Sequence, residues 1–369
     1  MLPRSPGDAP APDQSGHARH RGVASIAGPP EVPPAGPALV DPEPEPRKRR
    51  RWRRVALIVG LSLLAVIVGI GVGGWLYMRS VDGSIERVDA FTDVPQADRP
   101  AKVVAGAENL LILGSDSRNP DTTGSRTDTI IVAHIPADHS KAQLISIPRD
   151  TWVHVPKSKD GRHGGTNAKI NAAFAWGGAP LMVQTVESFT GVRIDHVMMI
   201  DFSGFKDIVD ALGGIEIDVD RTFTSIHPPH RRFVEGHQRM DGATALDYSR
   251  QRKQFPDGDF TRIKHQQQVI RAVVGQAAGM GLLTDPPRLN AFVRATADSM
   301  TVDETFSTFD MAMKMRGVRG GDLAFMTSPS SGTGRVGDQS VVFADKTKAA
   351  SLYDAVKRDA VDQWLATNG

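Results

Sequence analysis

Residues 55–78 form a run of 24 positions without a charged side chain. At about 1.5 Å per residue this run crosses the roughly 30 Å of a bilayer core, and it is longer than the apolar region of a cleaved signal peptide. It is preceded by seven basic residues between Arg47 and Arg54 and followed by Arg79 alone, with Trp52, Trp75 and Tyr77 at its ends. The pattern predicts one N-terminal transmembrane helix, its N-terminus cytoplasmic and residues 79–369 outside. A nucleic-acid-binding basic run or a buried core helix would not need the uncharged run to abut the basic block. Upstream, residues 1–46 lack aliphatic periodicity and hold 12 of the 25 prolines, so residues 1–54 read as a disordered tail ending in a basic block.

Past the span, polar residues 79–104, with Pro95 and Pro100, read as a connector. A single domain is expected over 105–369. Strand patterns fall at 109–113, 129–135, 143–147, 196–200 and 215–219, and helical patterns at 181–189, 202–212, 261–278 and 346–359. Strands alternating with helices, the first three joined as a meander, predict an α/β class fold with a mixed central sheet flanked by helices.

Composition changes two points. The chain has 369 residues and no cysteine, which excludes disulfide scaffolds, thiol nucleophiles and zinc-thiolate sites. Its net charge of +2 hides a segregation: residues 1–78 carry 10 basic and 6 acidic side chains, leaving 34 of 44 and 36 of 42 for residues 79–369. The outer domain is slightly acidic, so anion binding there must come from local placement.

The meander brings Asp116, Asp128, Arg149 and Asp150 to one edge of the sheet. Carboxylates beside an arginine suit a hard divalent cation that shares its coordination with phosphate, although aspartates at such positions also cap turns. Arg250 and Arg252 stand two apart and share a face if their segment is extended. Asp259 reads as the N-cap of a long helix, with Arg262 and Gln266 four apart near its anion-favouring start. Three arginines and a glutamine there make a pyrophosphate clamp; the alternative is a solvated basic patch balanced by Asp257 and Asp259. His227 and His230, separated by two prolines, read as a surface loop without ligand spacing, and His265 sits one residue before Gln266.

Six stretches carry a resemblance: residues 109–118 ending Gly114-Ser115-Asp116-Ser117-Arg118, Arg126-Thr127-Asp128-Thr129, Ser146-Ile147-Pro148-Arg149-Asp150-Thr151, Lys169-Ile170-Asn171-Ala172-Ala173-Phe174, Ala211-Leu212-Gly213-Gly214-Ile215, and Tyr248-Ser249-Arg250-Gln251-Arg252 with residues 259–266. In this order, behind a membrane anchor, they resemble the LytR-CpsA-Psr family of cell-wall glycopolymer ligases, over a motif-bearing core of 109–275. The resemblance implies magnesium, with manganese as a substitute, on Asp116 and Asp128. It implies that the pyrophosphate of a polyprenyl-linked glycan donor is held by Arg149, Arg250, Arg252, Arg262 and Gln266. It further implies transfer of a glycopolymer phosphate to a peptidoglycan sugar hydroxyl, with the bilayer as a partner; Arg149, Asp150 and Arg252 are the expected catalytic residues. Asp150 would serve as base or orient Arg149. Residues 182–189, 197–200 and 269–274 could line an apolar slot for the lipid tail, or simply form core. Rival readings are a hydrolase using water as acceptor and a membrane-tethered regulator. The tail has no helix-turn-helix pattern, so no nucleic-acid partner is expected. The polymer's identity and the oligomeric state stay open, with loops 157–166 and 221–232 as candidate selectivity elements.

Overall fold

The computed structural model describes residues 57–60, 62, 73–74, 76–77, 79–115, 127–279 and 285–368. The chain divides into two units at residue 64. In the first, residues 57–60 and 62 are helical and exposed; the second is described below. The tail and most of the expected membrane span lie outside the described residues, as do Asp116 and Arg126. Among the described residues no helix is long and apolar enough to cross a membrane.

The second unit starts with the short strand β1 (Glu86–Val88), the meander β2 (Glu108–Ser115), β3 (Thr127–Ile135) and β4 (Ala142–Ser146), and the hairpin β5 (Trp152–Val155) and β6 (Thr166–Lys169). Then come α1 (Asn171–Thr190), β7 (His196–Asp201), α2 (Phe202–Ala211), β8 (Ile215–Val219), the two-residue strands β9 (Phe223–Thr224) and β10 (Arg232–Phe233), and β11 (Gly236–Met240). Helices α3 (Gly242–Ser249), α4 (Asp259–Gly279) and α5 (Pro286–Asp298) lead to β12 (Met300–Asp303), α6 (Thr308–Met315) and β13 (Leu323–Thr327). The hairpin β14 (Ser330–Val336) and β15 (Gln339–Ala344) and helices α7 (Lys346–Lys357) and α8 (Val361–Asn368) follow.

The central sheet has seven strands in the order β1-β12-β7-β2-β3-β4-β13. It is mixed: β2-β3 and β3-β4 pair antiparallel as the meander requires, whereas β2-β7 and β4-β13 are parallel. Alternation along β2 and β3 splits the core between two faces. Leu111, Leu113, Ile130 and Val132 pack against Met182, Val183 and Val186 of α1. Leu110, Ile131 and Ala133 face the other way, toward Ile270 of α4 and Val293 of α5.

Two sequence expectations change. The helix expected at 181–189 extends back to Asn171 across a break at Gly177 and Gly178, where Gly178 takes φ 62°, ψ −153°. A Gly-Gly pair followed by Pro180 punctuates the local pattern, but packing of α1 on the sheet restores the helix on both sides. Residues 79–104 are not a mere connector. They supply edge strand β1, paired with β12, and bury Val81, Ile85, Ala90 and Val94. Arg99 forms a bidentate bond with Glu187 of α1 at 2.7–3.1 Å, both side chains almost fully buried.

Candidate active site

A cavity of about 250 Å³ opens where β2 ends and β3 begins, walled by the sheet and by α2, α3 and α4. One helix sets its character. Arg262, Gln266, Val269 and Ile270 share a face of α4 and all line the cavity. Over the eight steps from Arg262 to Ile270, about 12 Å of axis, the wall passes from cationic to apolar. Ile112, Ile131, Ile200, Phe202 and Phe205 complete the apolar end. Of the segments expected to form a lipid slot, Ile200, Val269 and Ile270 line this cavity. Met182, Val183, Val186 and Val197 are instead sealed in the core on the α1 face.

At the charged end the side chains alternate in sign. Arg149 bonds Asp128. Asp150 accepts from Arg252 at 2.5 Å and pairs with Lys169 at 3.1 Å. Arg252 lies 3.5 Å from Asp259, which pairs with Arg262 at 2.5 Å, and Arg262 donates to the Asp128 carbonyl at 3.2 Å. Asp150 therefore locks Arg252 and Lys169, while Asp128 bonds Arg149, the partner that the alternative to a base role gave to Asp150. Burial would raise the Asp150 pKa, but Arg252, Lys169 and Arg149 outweigh it and hold the carboxyl below the ordinary range. That suits orientation of cations more than acceptance of a proton. Asp259 goes the other way: burial raises it, only partly opposed by Arg262 and Arg252. Burial lowers Arg262. For Arg149 burial is overcome by Asp128 and Asp150, and its pKa rises.

Arg250 and Arg252 both reach the cavity, though not through an extended segment. Helix α3 runs to Ser249, and Arg250 caps it with φ −98° and ψ −7°. The two share a site because Gln251 between them turns inward. It is fully buried and donates to Asp247 Oδ1 at 2.6 Å and Ser225 Oγ at 2.8 Å. Arg250 stacks over Phe202 at 4.6 Å. Asp259 is likewise not an N-cap: it is the first residue of α4, its carboxylate engaged by arginines, while the carbonyl of Gly258 accepts from Arg262 N.

Lys169, Lys253 and His227 were not anticipated at the site. His227 lines the cavity, so the His-Pro-Pro-His segment is a wall and not only a surface loop. No local spacing signals this, because the loop is placed by the long-range Ser225–Asp247 bond at 2.7 Å. His265 points away from Gln266, between Tyr248 and Phe223, and burial pushes its pKa down to about 4.

The wall carries Arg149, Arg250, Arg252, Lys253 and Arg262 against Asp128 and Asp201, and Asp201 is engaged in capping α2 through Gly204 N at 2.6 Å. Among the described residues, the Nε groups of Arg149 and Arg262 are buried without hydrogen-bond partners. Unpaired buried donors cost about 1–3 kcal/mol each, a cost that an anionic oxygen relieves. Asp128 is the described member of the expected metal pair, a hard oxygen donor on the cavity wall, which fits magnesium chemistry. Among the described residues no group of three His, Cys, Asp or Glu could hold a metal ion, and Asp116 is outside that set.

The cavity of this α/β fold joins an arginine-rich mouth to an apolar floor, chemistry that suits an amphiphilic anion. The LytR_cpsA_psr family model matches residues 82–358, and the chain belongs to that family. It is 30% identical to "Cell wall biosynthesis protein LcpA" of Corynebacterium glutamicum over 69% of this chain and 56% of LcpA, so it spans little more than half of that relative. It is 32% identical to "Polyisoprenyl-teichoic acid--peptidoglycan teichoic acid transferase TagU" of Bacillus mycoides, over 64% of this chain and 77% of TagU. The fold matches the crystal structure of B. subtilis TagV with a TM-score of 0.59 and 24% identity, over 70% of this chain and 98% of TagV.

Proposed function

We propose that this protein is a membrane-anchored phosphotransferase of cell-wall assembly. It moves a glycopolymer phosphate from a polyprenyl-pyrophosphate carrier to a peptidoglycan sugar hydroxyl, with its catalytic domain outside the membrane. Family membership and relatives named as transferases support the class. The observation that carries the finer reading is the cavity itself: a cationic mouth, with two buried guanidinium Nε groups that have no partner among the described residues, runs directly into an apolar floor. A polyprenyl pyrophosphate has that same polarity from end to end.

In this reading Arg149, Arg250, Arg252, Arg262 and Gln266 grip the pyrophosphate, and Asp150 and Lys169 keep Arg252 in position. Ile200, Phe205, Val269 and Ile270 take the first isoprene units. The acceptor oxygen bonds to the glycan-side phosphorus, the bond to polyprenyl phosphate breaks, and that phosphate leaves with the electron pair while the hydroxyl proton passes to solvent. The arginines stabilise the leaving phosphate, so the gain is electrostatic and positional. Asp128, with Asp116, would hold a magnesium ion, which when bound neutralises pyrophosphate charge.

The test incubates the purified chain with a polyprenyl-pyrophosphate-linked glycan and isolated peptidoglycan. Covalent attachment of glycan to the wall material is expected. Release of free phosphorylated glycan with no attachment would show that water is the acceptor and refute the transferase reading.

A further inference from the structure

A second cavity, of about 410 Å³, lies between the tip of the β5–β6 hairpin, Asp93 and the broken part of α1. Its volume is within the range of small-molecule sites. Trp176 forms one wall: the indole is half-buried, packs on the core behind it, and runs parallel to His163 with ring centres 5.8 Å apart. The helix break adds polar backbone beside the ring. Gly177 and Gly178 leave helical geometry, and Pro180 has no N–H, so the Trp176 carbonyl lacks its i+4 donor. The rim is polar and close to neutral. Lys159 pairs with Asp93 at 2.6 Å, Gln184 donates to the Asp93 carbonyl at 3.0 Å, and Ser158 bonds Asp160 at 2.6 Å.

A half-buried indole beside carboxylate and amide side chains and non-helical backbone suits a pyranose, with its apolar C–H face and its equatorial hydroxyl and amide groups. Among the described residues lining this cavity Lys159 is the one cation, and it pairs with Asp93 beside a second carboxylate, Asp160, so the lining does not favour phosphate. Its position ties it to the first site. Asn171, which opens α1, donates its N–H to the Arg149 carbonyl at 3.2 Å, and the neighbouring Lys169 holds Asp150. Trp176 is five residues further on, about 8 Å along the axis. Helix α1 covers the sheet face opposite α4.

We propose that this cavity is a saccharide subsite for the acceptor, which takes an N-acetylated hexosamine chain with Trp176 as the stacking platform. Donor and acceptor then reach the Arg149–Asp150 edge from opposite faces of the sheet. The role as acceptor site rests on the phosphotransfer reading; saccharide binding does not.

The test titrates the full-length chain in detergent with a β-1,4-linked N-acetylglucosamine tetrasaccharide by calorimetry. Saturable binding is expected, weakened about tenfold or more by Trp176→Ala and unchanged by Arg252→Ala. Trp176→Leu keeps apolar volume against the core but removes the ring, so it should lose the same affinity while melting near wild type. With transfer as readout, Trp176→Leu should raise the acceptor KM and leave the donor KM within about twofold. No saturable binding by the wild type, or wild-type affinity in both Trp176 variants, overturns the subsite. Tetrasaccharide binding without any glycan transfer refutes the phosphotransfer reading and leaves the subsite standing.

Discussion

Removal of the Asp150 carboxylate tests how the charged end is held. Asp150 is 5% exposed and bonds Arg252 at 2.5 Å and Lys169 at 3.1 Å. Charge-assisted bonds contribute about 1.5–3 kcal/mol each, and truncating one partner of a buried pair leaves the other cation uncompensated. Here the Arg252 and Lys169 side chains keep 29% and 24% exposure, so water recovers part of the loss. Asp150→Ala should therefore cost about 2–3 kcal/mol, a fall in Tm of roughly 4–8 °C. With Arg252 free to swing from the phosphate, glycan transfer should drop about 10- to 100-fold. Asp150→Asn, which keeps the shape, should lose less. Because Asp150 works through Arg252, the double variant with Arg252→Ala should be no slower than Arg252→Ala alone. Additive losses in transfer rate, or an unchanged Tm and rate in Asp150→Ala, would refute the reasoning. The carboxyl is held below its ordinary pKa of 3.8, so its contribution is complete above that pH and fades only as pH drops through the lower folded value.

Other outcomes follow from single contacts. Arg99→Ala strands the buried Glu187 carboxylate and should destabilise by about 3–5 kcal/mol in chemical denaturation, although it is remote from the cavity; an effect below 1 kcal/mol would mean that residues 79–104 are not part of the fold. Gly114→Ala places a Cβ 2.8 Å from Thr129 Cβ, so a loss of about 1–3 kcal/mol in the melt is expected, eased when Thr129→Gly is added. His265 folds with a pKa near 4 against an ordinary 6.5. The unfolded chain thus binds more protons between these values, and stability should decline by about 2–3 kcal/mol as pH falls from 6.5 to 4. His265→Phe should flatten that limb of the stability curve. Chelation of divalent cations, or Asp128→Ala, should abolish glycan transfer while leaving the far-UV circular dichroism unchanged.

What the sequence determined is what short range controls. Alternation at 109–113 and 129–135 set the meander and hence the edge at which Asp128, Arg149 and Asp150 meet. The four-residue spacing of Arg262 and Gln266 put both on one face of α4, because a helix repeats every 3.6 residues. Tertiary structure decided what these groups do. Whether Asp150 orients Arg149 or Arg252 depends on how α3 and α4 dock against the edge, which no local pattern encodes. Gln251 directs its flanking arginines outward only because Asp247 and Ser225 wait for it inside the fold. Residues 79–104 look like a polar connector until β12, some 200 residues later, offers β1 a partner. Likewise α1 survives its Gly-Gly break because burial of Met182, Val183 and Val186 against the sheet outweighs the local cost of the break. Local pattern specifies elements and the side chains that share their faces; partners for buried charges and polar groups come only from segments that packing brings together.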